Sequence, residues 1–461
     1  MLLALVVLIV TIGIAFVPMP SVLSATPESP ALLFTLAKRY EPLAWLRGGE
    51  RFSSGATIFI QNEDASGRHP HPLISGFAAS ADPTVSFDGT SVLFAAKQKP
   101  GDHWQIWEVA ITTTAGDPRR VTSCANDCVR PFYLPDDRVV YAKKIDGRFV
   151  IETASLSGDK IVQLTYGPGN FLPTDVLRDG RILFESSYPL GTNRAPELYT
   201  VYSDGSGEES YRCDHGKARY SGRQIASGDI VFVSHPGSGS GSNFGLTRFT
   251  SARAEQLHIN APAGDYAGDI AETSSGDWLL PWRPDAKSDF QLKRWKPGTA
   301  SLLPVVAEPG ANVIQPTLVG ERTVPKRHPS GLHDWPNANL LCLNTYTSKY
   351  KFAAGSIHSI RMYTRDNVGI TKLLGSAPVE RDGSFFVQVP TEQPLQIELL
   401  DNSGQTVKRQ AGWFWMRRGE QRACVGCHAG PETAPENAVP MILLKSTTPA
   451  DMTGHSASGG H

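Results

Sequence analysis

The stretch PTVSFDGTSVLFAAK, residues 83–97, places an Asp-Gly turn between two largely apolar runs. Asp and Gly tolerate a positive φ, so this dipeptide predicts a tight hairpin between two β-strands. Comparable turns recur 43 to 48 residues apart along the chain. Their second residues are Gly89, Asp137, Gly180, Gly228, Gly276 and Gly320. A strand-turn-strand unit at this period is the pattern of a β-propeller blade.

The repeats predict how the ring of blades closes. Five complete blades fit between about residues 82 and 310, and a sixth begins at VIQPTLVG. The run ATIFIQ, residues 56–61, can supply the missing outer strand, because a blade built from both chain ends hides the free sheet edges. We therefore expect six blades over residues 26–324. Seven is the alternative, since residues 26–55 have little strand pattern and show a short helical pattern around Leu32–Leu46 that could cap the ring.

A second domain follows a change in composition. Residues 325–338 are rich in proline and predict a linker. The runs LLCLNTY, SIRMYTR, SFFVQVP and LQIELLD then predict a small β-sandwich-like domain over residues 339–446. Residues 447–461 have low complexity and are expected to form a flexible tail.

Near the C-terminus the chain reads CVGCH, with Cys424, Cys427 and His428. C-x-x-C-H is the attachment signature of a c-type haem, in which two thiols add to the porphyrin and the adjacent histidine binds the iron. A disulfide or half of a zinc site is the alternative, but no second Cys or His pair stands nearby in the sequence. We therefore predict one covalent haem c. The predicted fold class is mainly β, a six-bladed β-propeller followed by a small β-sandwich-like domain that carries the haem peptide.

The residues just before the motif are candidates for contact with this cofactor. Arg417, Arg418 and Arg422 could pair with the haem propionates, because guanidinium groups suit carboxylates. A solvated basic patch is the alternative. Trp413 and Trp415 predict an apolar wall for the haem or part of the sandwich core.

The sixth iron position has several candidates, with His428 as the proximal ligand. Met416 or Met441 could bind the iron, although core packing is the alternative for both. Further candidates are Met452, His328, His333, His358 and His455. A vacant position is also consistent with the sequence. His69 and His71, in RHPHP, could bind a metal, but a short polar loop favours two surface residues.

The N-terminus and the remaining cysteines indicate export. Residues 2–17 are an almost unbroken apolar run, which predicts that residues 1–25 are a signal peptide or an uncleaved membrane anchor. Cys124 and Cys128 predict a local disulfide in an oxidising compartment. Cys213 and Cys342 could pair or remain buried free thiols. The net charge of −1 gives no indication of nucleic acid binding.

Two segments resemble known families. Residues 83–89 resemble the Asp-Gly-centred motif of Tol-type propellers. The stretch VERDGSFFVQVPTEQPLQIELLDNSGQTV, then Gly419-Glu420 and CVGCH, resembles the middle, haem-bearing domain of the hydrazine synthase alpha subunit. The resemblance implies a six-bladed propeller before this domain. In that family a tyrosine four residues after the motif histidine binds the iron, whereas Glu432 stands here. The family also has a second haem domain, whereas this sequence has one C-x-x-C-H. The family's unusual haem chemistry is therefore not expected, and His428 is expected to be the ordinary proximal ligand.

Three functions are consistent with these features. The first is an exported, periplasmic monohaem c-type cytochrome that transfers electrons to or from a redox partner protein. The second is a hydrazine synthase-like haem redox enzyme acting on a small nitrogen substrate. The third is a non-catalytic propeller that binds a partner. A membrane is expected as a partner only if the N-terminal segment remains uncleaved.

Overall fold

The computed structural model describes residues 31–62, 70–111, 116–187, 195–212, 215–234, 244–366, 369–427, 433–434 and 436–454. The predicted signal peptide or anchor lies outside the described residues. Within these ranges, no helix is both long enough and apolar enough to span a membrane.

The described part of the chain contains six antiparallel sheets that form the blades of a propeller. Blade 1 consists of Ala79–Val85, Ser91–Lys97, Gln105–Ala110 and Arg119–Arg120. Blade 2 consists of Cys128–Leu134, Arg138–Ile145, Arg148–Ser155 and Val162–Gln163. Blade 3 consists of Phe171–Val176, Ile182–Ser186, Glu197–Val201 and Glu209–Ser210. Blade 4 consists of Arg219–Gln224, Ile230–Ser234, Gly245–Phe249 and Leu257–His258. Blade 5 consists of Asp265–Tyr266, Ala271–Glu272, Trp278–Arg283, Gln291–Trp295 and Leu302–Val306.

Blade 6 joins the two ends of the propeller. Its inner strand, Asn312–Leu318, pairs with Ala31–Ala37, which pairs with Thr57–Asn62 and so reaches His71–Pro72. This arrangement confirms six blades and the closure predicted from ATIFIQ. The helical pattern predicted around Leu32–Leu46 is wrong in its first half, because that segment completes a sheet and is buried on both faces. A single 3-10 turn, Trp45–Arg47, follows.

The inner strands carry a repeated irregularity that brings polar groups to the propeller axis. In blades 1, 2, 4 and 6 a non-glycine residue of the inner strand has a positive φ close to a register shift, and in blade 5 such a residue lies between the two short inner strands. These residues are Asp82, Arg130, Ser221, Asp269 and Gln315. Bulges of this kind redirect side chains. Arg130 consequently binds Asp269 with both terminal nitrogens, at 2.9 Å and 3.1 Å.

The C-terminal domain is a two-sheet sandwich, as predicted. One sheet contains Gln421–Cys424, Ala338–Cys342, Phe385–Val389 and Ala450–Asp451. The other contains Thr371–Pro378, Ser359–Arg365, Leu395–Leu400 and Thr406–Arg409. A short helix, Met441–Lys445, follows the haem peptide.

The C-terminal residues correct one prediction. The expectation of a flexible tail over residues 447–461 is wrong for its described part. Ala450–Asp451 pairs in parallel with the strand Phe385–Val389, and Met452 is fully buried in the sandwich core. The apolar side chain of Met452 holds the segment against the domain. In the propeller, Cys124 and Cys128 form the predicted disulfide.

Candidate functional site

The strand that leads into the haem motif brings three thiols together. Gln421–Cys424 runs parallel to Ala338–Cys342, with Cys424 directly opposite Cys342. The amide of Leu343 donates to the carbonyl of Cys424 at 2.9 Å, which fixes this register. Cys342 is buried and, like Cys424 and Cys427, forms no disulfide. Cys213, which the sequence suggested as a possible disulfide partner of Cys342, lies outside the described residues.

A glycine between the two motif cysteines lets the peptide lie close to a neighbouring loop. A Cβ on Gly426 would stand 2.1 Å from the carbonyl oxygen of Thr347 and 2.6 Å from that of Asn344. No side chain fits at these distances, so the position requires glycine. The peptide from Cys424 to Cys427 is therefore held against the loop that follows the strand Ala338–Cys342.

Cys424 and Cys427 line a cavity of about 690 Å³ between the propeller and the sandwich. This volume is within the usual range for cofactor and ligand pockets. The sandwich side is mainly apolar and includes Leu340, Phe352, Phe385, Ile397, Leu399, Trp413 and Phe414. Blade 3 and the loop after it supply the opposite wall, with Tyr199, Glu208, Glu209, Ser210 and His215. The cavity thus lies at the boundary between the two domains, with both motif cysteines in its wall.

Glu208 and Arg422 line the cavity, and Glu420 lies behind Arg422. Arg422 lines the cavity and binds Glu420, with Nη2 at 2.7 Å from Oε1. Glu420 also accepts a hydrogen bond from the amide of Gly207 in the propeller, at 3.2 Å. Glu208 is buried, and its burial raises the pKa of its carboxyl to about 8, although Arg422 opposes the shift. At neutral pH the Glu208 carboxyl is therefore largely protonated.

An imidazole from the propeller also faces this cavity. His215 Nδ1 lies 2.6 Å from Oε2 of the buried Glu197, and Oε1 of Glu197 accepts a hydrogen bond from the amide of Gly216 at 2.6 Å. A carboxylate that fixes one ring nitrogen in this way is common for histidines that bind metals. No sequence pattern pointed to His215, because it follows a blade strand far from the C-x-x-C-H motif.

The thiols of Cys424 and Cys342 are held in their protonated form. Burial raises the pKa of Cys424, and the opposing effect of Arg422 is smaller. A hydrogen bond with Cys427, and then burial, raises the pKa of Cys342. Neither Cys424 nor Cys342 therefore resembles the low-pKa cysteine of a nucleophilic enzyme.

Several predicted haem contacts lie elsewhere and dock the sandwich on the propeller. Trp415 is fully buried, packs on Phe171 with ring centroids 5.4 Å apart, and donates from Nε1 to the carbonyl of Leu164 at 2.9 Å. Arg417 donates to the carbonyl of Gln163 at 3.0 Å and also contacts the hydroxyl of Tyr166 and, at 2.9 Å, the carboxylate of Glu392. Arg418 is exposed. Among the predicted aromatic and arginine residues, Trp413 and Arg422 line the cavity.

The predicted sixth ligands of the described region do not line the cavity. Met416 and Met452 are fully buried in the sandwich core, and Met441 begins the short helix. His328 stacks on Tyr202, His333 stacks on Trp335, and His358 is exposed. His71 is exposed in the outer strand of blade 6. The residues His428, Glu432, His455 and His69 lie outside the described residues.

Comparison with known proteins gives the family of the C-terminal domain. Residues 343–429 match the model of the hydrazine synthase alpha subunit middle domain. The chain superposes on Kuenenia stuttgartiensis hydrazine synthase with a TM-score of 0.76 at 16% identity, over 90% of this chain and 71% of that one. It also matches TolB from Acinetobacter baumannii, with a TM-score of 0.48 at 16% identity, over 63% and 67% of the two chains. No curated protein matches by sequence. Residues 343–429 therefore belong to the hydrazine synthase alpha subunit middle-domain family, in a chain whose propeller and sandwich share the hydrazine synthase fold.

Proposed function

We propose that this chain is a redox protein that carries one covalent haem c in the boundary cavity. The observation that carries the proposal is that Cys424 and Cys427 open on the same cavity, which has an apolar aromatic wall on the sandwich side. These residues fit a porphyrin, since two thioether-forming thiols and a dry wall are what it needs. Cys424 and Cys427 would hold it and His428 would bind the iron. When bound, the haem supplies one-electron redox chemistry.

A hydrazine synthase-like redox enzyme acting on a small nitrogen compound is the function that the observations favour. The family of residues 343–429 supports it. The placement of Met416, Met441 and Met452 outside the cavity also supports it, because a methionine ligand from these positions would close the iron to substrate. Trp413 and Phe414 exclude water from the sandwich side, while Glu208 holds a proton at the cavity wall.

Electron transfer through a monohaem cytochrome is the second candidate, and His215 is the observation that favours it. A second histidine ligand would saturate the iron and leave no position for a substrate. His215 lines the cavity and has its ring fixed by Glu197. The two candidates therefore differ in whether the sixth iron position is open.

Export and a protein partner belong to the same proposal. The disulfide between Cys124 and Cys128 supports an oxidising compartment such as the periplasm, where c-type haem is attached. The match to a domain described as part of an alpha subunit supports association with another redox protein. In this proposal the propeller itself is not catalytic. It contributes one wall of the cavity and a surface that binds the partner.

Haem content tests the central claim. Protein produced with c-type haem maturation should contain one covalent haem per chain in a pyridine haemochrome assay. Cys424→Ala should lose haem retention after denaturation. Cys342→Ala is the matched control, because it removes a thiol from the same cavity but not from the motif, and it should retain the haem. A wild-type chain without covalent haem contradicts the proposal.

The visible spectrum separates the two candidates. A high-spin haem that binds carbon monoxide supports the enzyme. A low-spin haem that does not react with carbon monoxide supports electron transfer, and His215→Ala should then convert it to the high-spin form. His258→Ala, an exposed histidine of blade 4, is the control.

A further inference from the structure

The carboxyl of Glu208 has an unusual position in the boundary cavity. It stands just before the outer strand of blade 3, is 7% exposed, and lines the same cavity as Cys424 and Cys427. Within the described part of the chain it has no hydrogen-bond or ion-pair partner. Arg422, whose positive charge acts on Glu208, is instead paired with Glu420 at 2.7 Å.

An unpaired carboxylate in such a place is costly, so the carboxyl is kept neutral. Burial raises its pKa to about 8. Arg422 opposes this shift, whereas the negative charges of Glu420 and Glu209 add to it. The other charged or titratable groups that line the cavity are Tyr199, His215, Arg253, Lys408, Cys342, Cys424 and Cys427. A buried acid that titrates close to the working pH, inside a cleft, is suited to proton exchange.

We infer that Glu208 is the redox-linked proton acceptor of this cavity, a role that rests on the proposed haem. At a pH where Glu208 is still partly ionised, reduction of the bound haem by a one-electron donor would be accompanied by transfer of one proton from the solvent to the Glu208 carboxylate, which forms an O–H bond. When the electron leaves, the carboxylic acid returns the proton to water. The physical reason is Coulombic, since an added electron in a cavity of low dielectric constant disfavours a second negative charge nearby. The proton thus compensates the charge of the electron.

The reduction potential of the haem as a function of pH tests this inference. In the wild type the potential should be constant at low pH, where Glu208 is protonated in both redox states. It should then fall as pH rises through the range in which only the reduced protein holds the proton. Within that range the reduction equilibrium constant should fall by up to about tenfold per pH unit. Glu208→Gln is neutral at every pH and should remain near the acid limit of the wild type.

Glu209→Gln is the matched control, since Glu209 is the adjacent residue but is exposed and paired with Arg181 at 3.0 Å. It should keep the pH-dependent fall in potential, but over a slightly lower pH range, because the negative charge that it removes helps to raise the pKa of Glu208. A Glu208→Gln protein with the wild-type slope overturns the inference.

Direct measurement of proton uptake on reduction of the wild type avoids any folding defect of the variant. Uptake near pH 8 supports the inference, and no uptake from about pH 6 to about pH 10 overturns it. Haem content is measured in the same samples. Absence of haem contradicts the proposed function itself, whereas a haem with a pH-independent potential contradicts only the role of Glu208.

Discussion

Among the described residues, the propeller axis and the boundary cavity both bury charged groups, but they differ in how those charges are paired. On the axis, Asp269 binds Arg130 at 2.9 Å and Arg223 at 3.1 Å, and Arg51 approaches it at 3.4 Å. In the cavity, Glu208 has no such partner within the described ranges. The axis therefore compensates its charges, whereas the cavity keeps an acid in the neutral form.

The contrast indicates which centre is structural and which is functional. Paired charges that join several blades fix the arrangement of the ring, because each pairing requires a defined blade position. An unpaired buried acid contributes nothing of this kind and costs stability when ionised. Sites that break the rule of pairing are commonly the ones that perform chemistry. The predictions below test this division.

The largest effect is expected on the axis. Asp269→Ala leaves the buried guanidinium groups of Arg130 and Arg51 without their closest carboxylate, so the free energy of unfolding should fall by about 3–5 kcal/mol. Urea denaturation followed by circular dichroism measures this loss. Asp285→Ala, in an exposed turn, is the control and should leave the midpoint unchanged. A loss below about 1 kcal/mol for Asp269→Ala would show that the axis cluster does not stabilise the ring.

The next largest effect is expected where the sandwich docks on the propeller. Trp415→Ala removes a fully buried indole that packs on Phe171 and leaves the carbonyl of Leu164 without its donor. The free energy of unfolding should fall by about 3 kcal/mol. Trp335→Ala, which truncates an indole that is 49% exposed, is the control. Equal effects of the two variants in thermal unfolding would contradict docking by Trp415.

The buried carboxyl of Glu208 should make the free energy of unfolding depend on pH. The folded state raises the pKa of Glu208 to about 8, so between its unfolded pKa and about pH 8 the folded protein binds the extra proton. The stabilisation from this group is full below the unfolded pKa and is lost as pH rises through about 8. Glu208→Gln should therefore be more stable than the wild type at about pH 9, by on the order of 2 kcal/mol, with a smaller or reversed difference at about pH 5.

This measurement uses the haem-free protein, so it separates the folded-state acid from any redox role. Melting temperatures across the pH range give the difference, with Glu209→Gln as the control for adding an amide to the same hairpin. If the stability difference between Glu208→Gln and the wild type does not change with pH, the carboxyl is not held neutral.

The fold was largely predictable because its signals are local. The Asp-Gly turns define hairpins by steric preference, and their period defines blades. The helical prediction for the run ALLFTLA was wrong, since a short, fully apolar segment has no periodicity that separates a buried strand from a helix. The strand Ala31–Ala37 is determined by its neighbour Asn312–Leu318, at the far end of the propeller.

The site was predictable only where a motif carries it. Cys424 and Cys427 follow from C-x-x-C-H, but Glu208, His215 and Cys342 come from strands and loops remote in sequence, and only the tertiary fold assembles them. Some residues were also predicted to contact the haem only because they lie close to the motif in sequence, and the structure places them elsewhere. The segment between Arg409 and Gln421 forms no strand and is bridged at Phe414 to the strand Leu395–Leu400, so no strand alternation tells which side chains face the cavity.

The smallest effect is expected for Arg417, and it distinguishes docking from contact with the haem. Arg417→Met removes bonds to the carbonyl of Gln163 and to Tyr166, together with the ion pair to Glu392, which is partly exposed. The free energy of unfolding should fall by about 1 kcal/mol, because the methionine keeps much of the apolar contact. The haem potential should stay unchanged, since Arg417 does not line the cavity. Arg422→Met is the matched variant, and it should shift the potential because Arg422 does line the cavity. If Arg417→Met shifts the potential as much as Arg422→Met does, Arg417 acts on the haem and not on the domain boundary alone.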